Sequence, residues 1–214
     1  STDGLGYWLA GTGGSVFAFG DAPSVGQTAS AAAVAAAALP AASPSGQKIA
    51  VSDLTAYPAG AVGVDISLYQ CGEVPAQPAG IAVVQVTGGA IDNPPNPCYV
   101  QEAQWAGSHL SAYIYMNGLP SPAPPSSLSG PAGACALINA ACESFNYGFN
   151  WARHWVAYSR SVGVDPKLWW LDVERYSGWR DTVSNSLVIN GALQGLQSMG
   201  AEGGIYSTKG QWDQ

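Results

Sequence analysis

From about residue 49 onward the hydrophobic positions alternate between two kinds of pattern. Five short runs are apolar on both faces, which is typical of parallel strands covered by helices. They are residues 62–67, 81–87, 110–115, 168–173 and 204–207. Between them, residues 99–108, 148–162 and 185–199 are helical stretches, the last keeping a loose helical period and ending before Gly200. Alternating strands and helices predict an α/β fold with a parallel sheet.

The first 28 residues have a different pattern. Two short β-type runs, Tyr7-Trp8-Leu9 and Val16-Phe17-Ala18-Phe19, flank a glycine-rich turn. This hairpin unit, residues 1–28, resembles short repeats that occur in tandem in secreted actinobacterial proteins. A lone hairpin is marginally stable in water. We therefore expect it to pack on the main domain or to be the remainder of a longer array.

Residues 29–60 form a segment rich in alanine, proline and serine. The alanines would allow a helix, but the segment has no apolar face and is interrupted by Pro40 and Pro44. We interpret it as a linker between the hairpin unit and a main domain at residues 61–214. Within that domain, residues 119–133 form a Pro/Ser-rich loop, and loops of this length are usually functional or mobile.

The composition limits the classes of partner. Only 10% of the residues are charged, and the net charge is −7 with a pI near 4.5. Nothing resembles the basic patch that a nucleic-acid partner requires, whereas a neutral or peptide-bearing glycan would not be repelled. No apolar stretch reaches the roughly 20 residues that span a bilayer. The chain starts at Ser1 without Met or a charged leader, so we expect that a signal peptide has been removed and that the protein is secreted or at the cell surface.

The four cysteines are Cys71, Cys98, Cys135 and Cys142. None forms a C-x-x-C pair, and His109 and His154 lie far from any metal-ligand spacing, so we expect no metal site. An even count favours disulfides and an oxidising compartment; four reduced, buried thiols are the alternative. Of the three possible pairings we favour Cys71–Cys98 and Cys135–Cys142, because each closes a local loop.

The run Leu168 to Glu174 carries the strongest candidate chemistry. Side chains alternate across a strand, so Trp170, Asp172 and Glu174 share one face. Residues i and i+2 lie about 6.5–7 Å apart at Cα, and two carboxyls at that spacing can flank a glycosidic bond, one of them as the acid. The structural alternative is that Arg175 and Arg180 neutralise both charges.

Polar and aromatic residues follow the ends of the other predicted strands. In (β/α) barrels the chemistry lies at these carboxyl ends, and here they carry Asp65 beside Asp172, with further residues suited to hold a sugar. The candidate substrate-binding residues are Thr87, Tyr115, Asn117, Trp170 and Tyr206. Taken singly, Tyr113 and Tyr115 fit a core role better than a ligand contact.

These motifs together resemble a known family. Gly63-Val64-Asp65-Ile66-Ser67, Val86-Thr87-Gly88-Gly89, Leu171-Asp172-Val173-Glu174 and Gly204-Ile205-Tyr206-Ser207 look like successive strand-end motifs of family 25 glycoside hydrolases, the N-acetylmuramidase type of lysozyme. The stretch 145–150 and the Trp169-Trp170 pair look like an actinobacterial branch of that superfamily. The resemblance covers about residues 61–214, and its strongest motif is Leu171-Asp172-Val173-Glu174.

The resemblance implies an irregular, TIM-like (β/α) barrel of five βα units followed by three further strands. It implies cleavage of the β-1,4 bond between N-acetylmuramic acid and N-acetylglucosamine in peptidoglycan, without metal or organic cofactor. Glu174 would be the general acid, Asp172 would orient the acetamido group or stabilise positive charge, and Asp65 would complete the acidic site.

Two departures from the family pattern change the expectation. The run 113–118 replaces a Tyr-His-type strand end, which suggests an altered substrate subsite. The chain also stops just after the fifth strand, so we expect that the last strands are truncated or come from elsewhere. A catalytically weak or inactive glycan-binding module is the alternative function, and a hydrolase of another polysaccharide is a third.

Overall fold

The computed structural model describes residues 57, 61–76, 80–88, 94–136, 139–174, 178–208 and 211, together with the backbone of the strands at 6–11 and 16–20. Apart from Tyr57, the predicted linker at 29–60 lies outside these residues, as does Arg175. The described chain is a mixed α/β structure, as the alternation of patterns predicts.

Most of the described strands form one sheet. Its parallel part contains β3 (Gly63–Ile66), β4 (Ile81–Gln85), β5 (Leu110–Met116), β8 (Leu168–Val173) and β9 (Glu202–Ser207), adjacent in that order. Two short strands, β6 (Ser129–Gly130) and β7 (Gly133–Ala134), pair separately within the Pro/Ser-rich loop.

The amino-terminal hairpin joins the same sheet. Its strands β1 (Gly6–Gly11) and β2 (Val16–Gly20) are antiparallel, and β1 also pairs antiparallel with β9, with Leu9 opposite Tyr206. The strand order is therefore β3-β4-β5-β8-β9-β1-β2 among the described residues. Pairing with β9 gives the hairpin the neighbouring strand that an isolated hairpin lacks.

Three described α-helices cover one face of the sheet: α1 (Tyr99–Ala106), α2 (Ala140–Ser161) and α3 (Thr182–Ser198). The Asn139 and Asp181 side chains cap the amino ends of α2 and α3 by accepting from backbone N–H groups. The start of α2 was predicted at residue 148, which is wrong by two turns. Its first turns carry Cys142 and the polar residues Glu143 and Ser144, which interrupt the helical spacing of apolar residues.

The two faces of the sheet are packed differently. Against the helices lies the larger core, which includes Ile66, Val84, Ile114, Leu171 and Val188. The other face carries a smaller aromatic cluster, whose buried members are Ile81, Val83, Tyr113 and Trp170, with Tyr57, Ala61, Leu168 and Tyr206 partly buried against them. The central strands β4, β5 and β8 are therefore covered on both faces, as their apolar runs predict, whereas Gly63, Val64 and Asp65 of the edge strand β3 are exposed.

The predicted disulfide pairing is confirmed. Cys71 is bonded to Cys98 and Cys135 to Cys142, with Cα atoms 5.5 and 5.6 Å apart. The first bond joins the segment after β3 to the residue that precedes α1, and the second joins the residue that follows β7 to the first turn of α2. None of the helices in the described part of the chain is long and apolar enough to cross a bilayer.

Candidate functional site

The site is built on β8, whose side chains alternate between the two faces of the sheet. Trp169 and Leu171 are fully buried in the core beneath the helices, whereas Trp170 belongs to the aromatic cluster on the other face. Asp172 has the same parity as Trp170 and is only 5% exposed. Glu174 follows directly after the strand and is half-buried. Its backbone carbonyl accepts a hydrogen bond of 2.7 Å from Trp179 Nε1, which fixes the chain at this point.

Parallel pairing brings Asp172 beside two tyrosines. Its register neighbours are Tyr115 on β5 and Tyr206 on β9, and both tyrosines are half-buried. The Tyr206 side chain is in turn hydrogen-bonded to the carboxylate of Asp65 on β3. Asp65, Asp172 and Tyr206, which the sequence pattern predicts to converge, therefore meet at the carboxyl ends of the strands.

The charges of the three acids act on one another. The pKa of Asp172 lies well above its usual range, first because the carboxyl is buried and then because the negative charges of Glu174 and Asp65 are close. Its Oδ1 atom has no hydrogen-bond partner in the described structure. A buried carboxyl without a compensating donor favours its neutral form, so Asp172 holds a proton more strongly than an ordinary aspartate.

Asp65 is the more open member of the group. As a whole residue on the edge strand it is exposed, but protein around its carboxyl partly desolvates it and raises its pKa. Hydrogen bonds from its own backbone N–H and from Tyr206 act in the opposite direction, by stabilising the ionised form.

Sequence reasoning missed Tyr57 as part of this face. Its hydroxyl is 2.6 Å from Ser111 Oγ and accepts a hydrogen bond of 3.1 Å from Trp170 Nε1. Its ring is stacked on the Trp170 indole, with centroids 6.3 Å apart. Tyr57 lies in the segment interpreted as a linker, where no periodic pattern marks a single buried aromatic.

Tyr113 and Ser67 also belong to this face. Tyr113 is buried, in agreement with its preferred interpretation as a core residue, but its phenol is hydrogen-bonded to Ser67. Its ring lies 6.2 Å from that of Tyr206. Burial, and then the negative charges of Asp172 and Asp65, raise the pKa of Tyr113, so its phenol stays protonated beside the acids.

Three of the predicted substrate-binding residues are enclosed in this structure. Thr87 is buried, and its Oγ1 accepts a hydrogen bond of 3.0 Å from the backbone N–H of Tyr115. Trp170 is covered by Tyr57. Asn117 is 1% exposed, and neither its Oδ1 nor its Nδ2 has a partner in the described structure. These three residues are thus buried, whereas Tyr115 and Tyr206 are partly accessible.

The alternative of ion-pair neutralisation finds no support in the described residues. There, Asp165 forms ion pairs with Arg160 and Lys167, each at 2.8 Å, and Arg180 forms none with Asp172 or Glu174. Nor do the described His, Cys, Asp and Glu side chains form a group of three or more that could hold a metal ion. Among the described residues, Asp65 and Asp172 therefore lie near tyrosine side chains and form no ion pair with a cation.

The contact between Asp65 and Tyr206 also defines the shape of the sheet. Four strand-to-strand steps separate β3 from β9, and in a flat sheet these would amount to about 19 Å. An aspartate and a tyrosine side chain together cannot span that distance. The parallel part of the sheet is therefore strongly curved, with the carboxylates on its concave face.

A separate groove lies at the opposite, amino ends of the strands. It has a volume of about 620 Å³, and its lining includes Val100, Leu110, Asp165, Lys167 and Glu202. It lacks the aromatic side chains that surround the carboxylates, and Asp165 is already paired with two cations.

Comparison with known proteins gives one partial similarity. Counting factor 45-1 of Dictyostelium discoideum is 33% identical over 60 residues, which are 28% of this chain and 20% of that protein. The matched segment thus spans about a fifth of its length. No protein-family model matches the chain. No solved structure matches it either.

Proposed function

We propose that the protein is a glycoside hydrolase that cleaves β-1,4 bonds of peptidoglycan. The observation that supports this proposal is the convergence of Asp65, Asp172 and Glu174: burial, and then the negative charges of Glu174 and Asp65, raise the pKa of Asp172. Carboxyl groups held in different environments can divide the roles of acid and base between them. The aromatic side chains around them supply apolar surface for sugar rings.

In this mechanism Glu174 is the general acid. It donates its proton to the glycosidic oxygen as the bond from that oxygen to C1 breaks, and a water molecule that adds to C1 returns a proton to the carboxylate. Glu174 suits the role because it is half-buried, directly follows β8 and lies close enough to Asp172 for its charge to act on that carboxyl. This assignment follows the family resemblance of the Leu171-Asp172-Val173-Glu174 motif.

For Asp172, the two roles that the resemblance allows can be weighed against its surroundings. A buried carboxyl with a raised pKa and no cation among its described neighbours keeps its proton to a higher pH than an ordinary aspartate. Orienting the substrate's acetamido group by a hydrogen bond therefore fits better than stabilising positive charge. Asp65, held by Tyr206, completes the acidic site.

We also propose that the curved sheet is part of an irregular barrel. Its five parallel strands match the number of βα units in the resembled family, and the antiparallel hairpin lies next to the fifth of them. In that family three further strands follow the five βα units, so the hairpin occupies a comparable place beside β9.

Secretion is part of the same proposal. The described structure contains two disulfides, and disulfides persist in oxidising compartments such as the cell exterior. A peptidoglycan substrate lies outside the cell membrane, which agrees with this location.

The test compares Glu174→Gln with wild type for the release of reducing ends from purified peptidoglycan. We expect at least a roughly hundredfold loss of rate. Glu202→Gln is a matched control, because Glu202 is an exposed acid at the amino end of β9, and it should retain full activity.

The alternative function has a distinct signature. Suppose that wild type releases no reducing ends either from purified peptidoglycan or from any of a panel of N-acetylated and neutral glycans. If it still binds one of these glycans, the protein is a glycan-binding module. Release of reducing ends from a glycan other than peptidoglycan would instead show that the protein is a hydrolase with a different substrate.

A further inference from the structure

The most exposed large aromatic in the described structure lies near the candidate site. Tyr69 is 86% exposed and belongs to a single 3-10 turn, Leu68–Gln70, directly after β3. It follows Asp65 by four residues, so the two Cα atoms lie within about 14 Å of each other. A ring in this position can contact a polymer that leaves the acidic site, but only beyond the sugar units at the reacting bond.

The turn that carries Tyr69 is held in place from both sides. The Ser67 backbone N–H donates to Gln70 Oε1 at 2.8 Å, and the Tyr69 backbone N–H donates to Ser67 Oγ at 3.3 Å. Cys71 is bonded to Cys98, and Trp105 Nε1 donates to the Pro75 carbonyl at 2.9 Å. The backbone that carries Tyr69 is thus fixed by hydrogen bonds and a disulfide, while the Tyr69 ring itself remains exposed.

An exposed ring on a fixed turn contributes little to folding stability but favours binding of a ligand. An exposed aromatic side chain leaves apolar surface in water, and a braced turn lowers the ordering cost when a ligand covers that surface. The face of a pyranose ring, with its axial C–H groups, is the complementary surface for a tyrosine ring on a glycan. The position at the edge strand allows the polymer to continue past it.

We propose that Tyr69 is a stacking residue for a sugar ring of the polysaccharide, distal to the bond that is cleaved. The inference rests on the proposed function, since it assumes a glycan bound across Asp65, Asp172 and Glu174. It assigns Tyr69 to binding of long substrates and not to the chemical step.

The experiment measures binding in the Glu174→Gln background, so that the probes are not cleaved. The probes are a short and a long soluble oligomer of N-acetylglucosamine, together with insoluble peptidoglycan. Tyr69→Ala should weaken binding of the long oligomer and of peptidoglycan roughly three- to tenfold, which is the range of one aromatic contact. Binding of the short oligomer should be unchanged.

Two variants serve as controls. Tyr69→Phe keeps the ring and should bind like the parent. Val100→Ala removes apolar surface from the groove at the amino ends of the strands and should also bind like the parent. Thermal unfolding of all variants checks that the fold is retained.

The outcomes separate the two proposals. Equal affinity of Tyr69→Ala and its parent for the long oligomer and peptidoglycan overturns the stacking role, even if wild type is an active hydrolase. Weaker binding by Tyr69→Ala together with an inactive wild type supports the stacking role and rejects the hydrolase. If the parent binds none of the three probes, the stacking role is overturned as well.

Discussion

The phenol of Tyr206 donates a hydrogen bond to the carboxylate of Asp65, although β4, β5 and β8 lie between their strands. A flat sheet would keep these residues too far apart to touch. The curvature of the sheet therefore does two things at once, because it encloses the aromatic cluster and brings an acid from the edge strand to those of β8.

Replacing Tyr206 with Phe should change the titration of Asp65. The hydrogen bond from Tyr206 lowers the pKa of Asp65 against the effect of burial, so its loss should raise that pKa further. If ionised Asp65 takes part in catalysis, the acidic limb of the pH–rate profile should move to higher pH, and the rate on that limb should fall by up to about tenfold.

Carbon-detected NMR of the Asp65 carboxyl would measure the shift directly. Tyr158→Phe is the matched control, because Tyr158 packs on the helical side of the sheet and should leave the profile unchanged. An unaltered Asp65 titration in Tyr206→Phe would mean that the contact has no energetic weight.

The raised pKa of Asp172 predicts how stability depends on pH. Between the unfolded pKa of about 3.9 and the higher folded pKa, the folded state binds more protons than the unfolded state. The free energy of unfolding therefore falls as the pH rises through this window. Asp172→Asn should flatten the fall and raise the melting temperature at pH 7 by a few degrees, while lowering activity.

Calorimetry of wild type and Asp172→Asn between about pH 4 and pH 8 would test this linkage. Part of the slope should remain in the variant, because burial also raises the pKa of Asp65 and of Glu102. A wild-type melting temperature that rises steadily over this range would contradict the prediction.

The Trp170 indole leaves no space for a side chain at Gly204. A Cβ atom at residue 204 would collide with the six-membered part of that ring, which lies in the aromatic cluster beneath the acids. Gly204→Ala should lower the free energy of unfolding by about 1–3 kcal/mol, the usual cost of overpacking. It should also lower activity, since Trp170 precedes Asp172 by two residues on the same face.

A double-mutant cycle identifies the cause. Trp170→Phe removes the colliding atoms, so the combined variant should be less destabilised than the sum of the two single variants. Chemical denaturation measures all four proteins. Strict additivity would show that the collision is relieved in another way.

The two disulfides should contribute unequally to stability. The Cys71–Cys98 bond spans 27 residues and the Cys135–Cys142 bond spans 7. On the loop-entropy model, replacing each pair with serine should cost about 3.5 and about 2.4 kcal/mol, respectively. Denaturant unfolding of the two double-serine variants measures both, and the reverse order would indicate that native-state strain or residual unfolded structure outweighs loop entropy.

The sequence predicts the strands well because each is a short apolar run with clear breaks. The predicted bounds of β8 coincide with the observed ones, and β4 and β5 begin at the predicted residues. The beginning of α2 was less visible, since Asn139 marks it through a cap and not through an apolar period. Pairing of the hairpin with β9 is a contact between distant segments that no local pattern encodes.

The candidate site could be predicted only in part from the sequence. Alternation along β8 places Asp172 and Glu174 from the sequence alone. The burial of Thr87, Asn117 and Trp170 was not predictable, because it depends on what covers each side chain in three dimensions. Tyr57 is the clearest example: it covers Trp170 although 113 residues separate them.

The alternation along β8 has a consequence for how such a protein can change over time. Trp169, Leu171 and Val173 pack in the core beneath the helices, whereas Trp170 and Asp172 are buried on the face that carries the aromatic cluster, so a substitution in either set changes the packing of one face. A single-residue insertion near the start of β8, by contrast, would exchange the two sets and move the carboxylates beneath the helices, so this segment should tolerate replacement far better than a change of length.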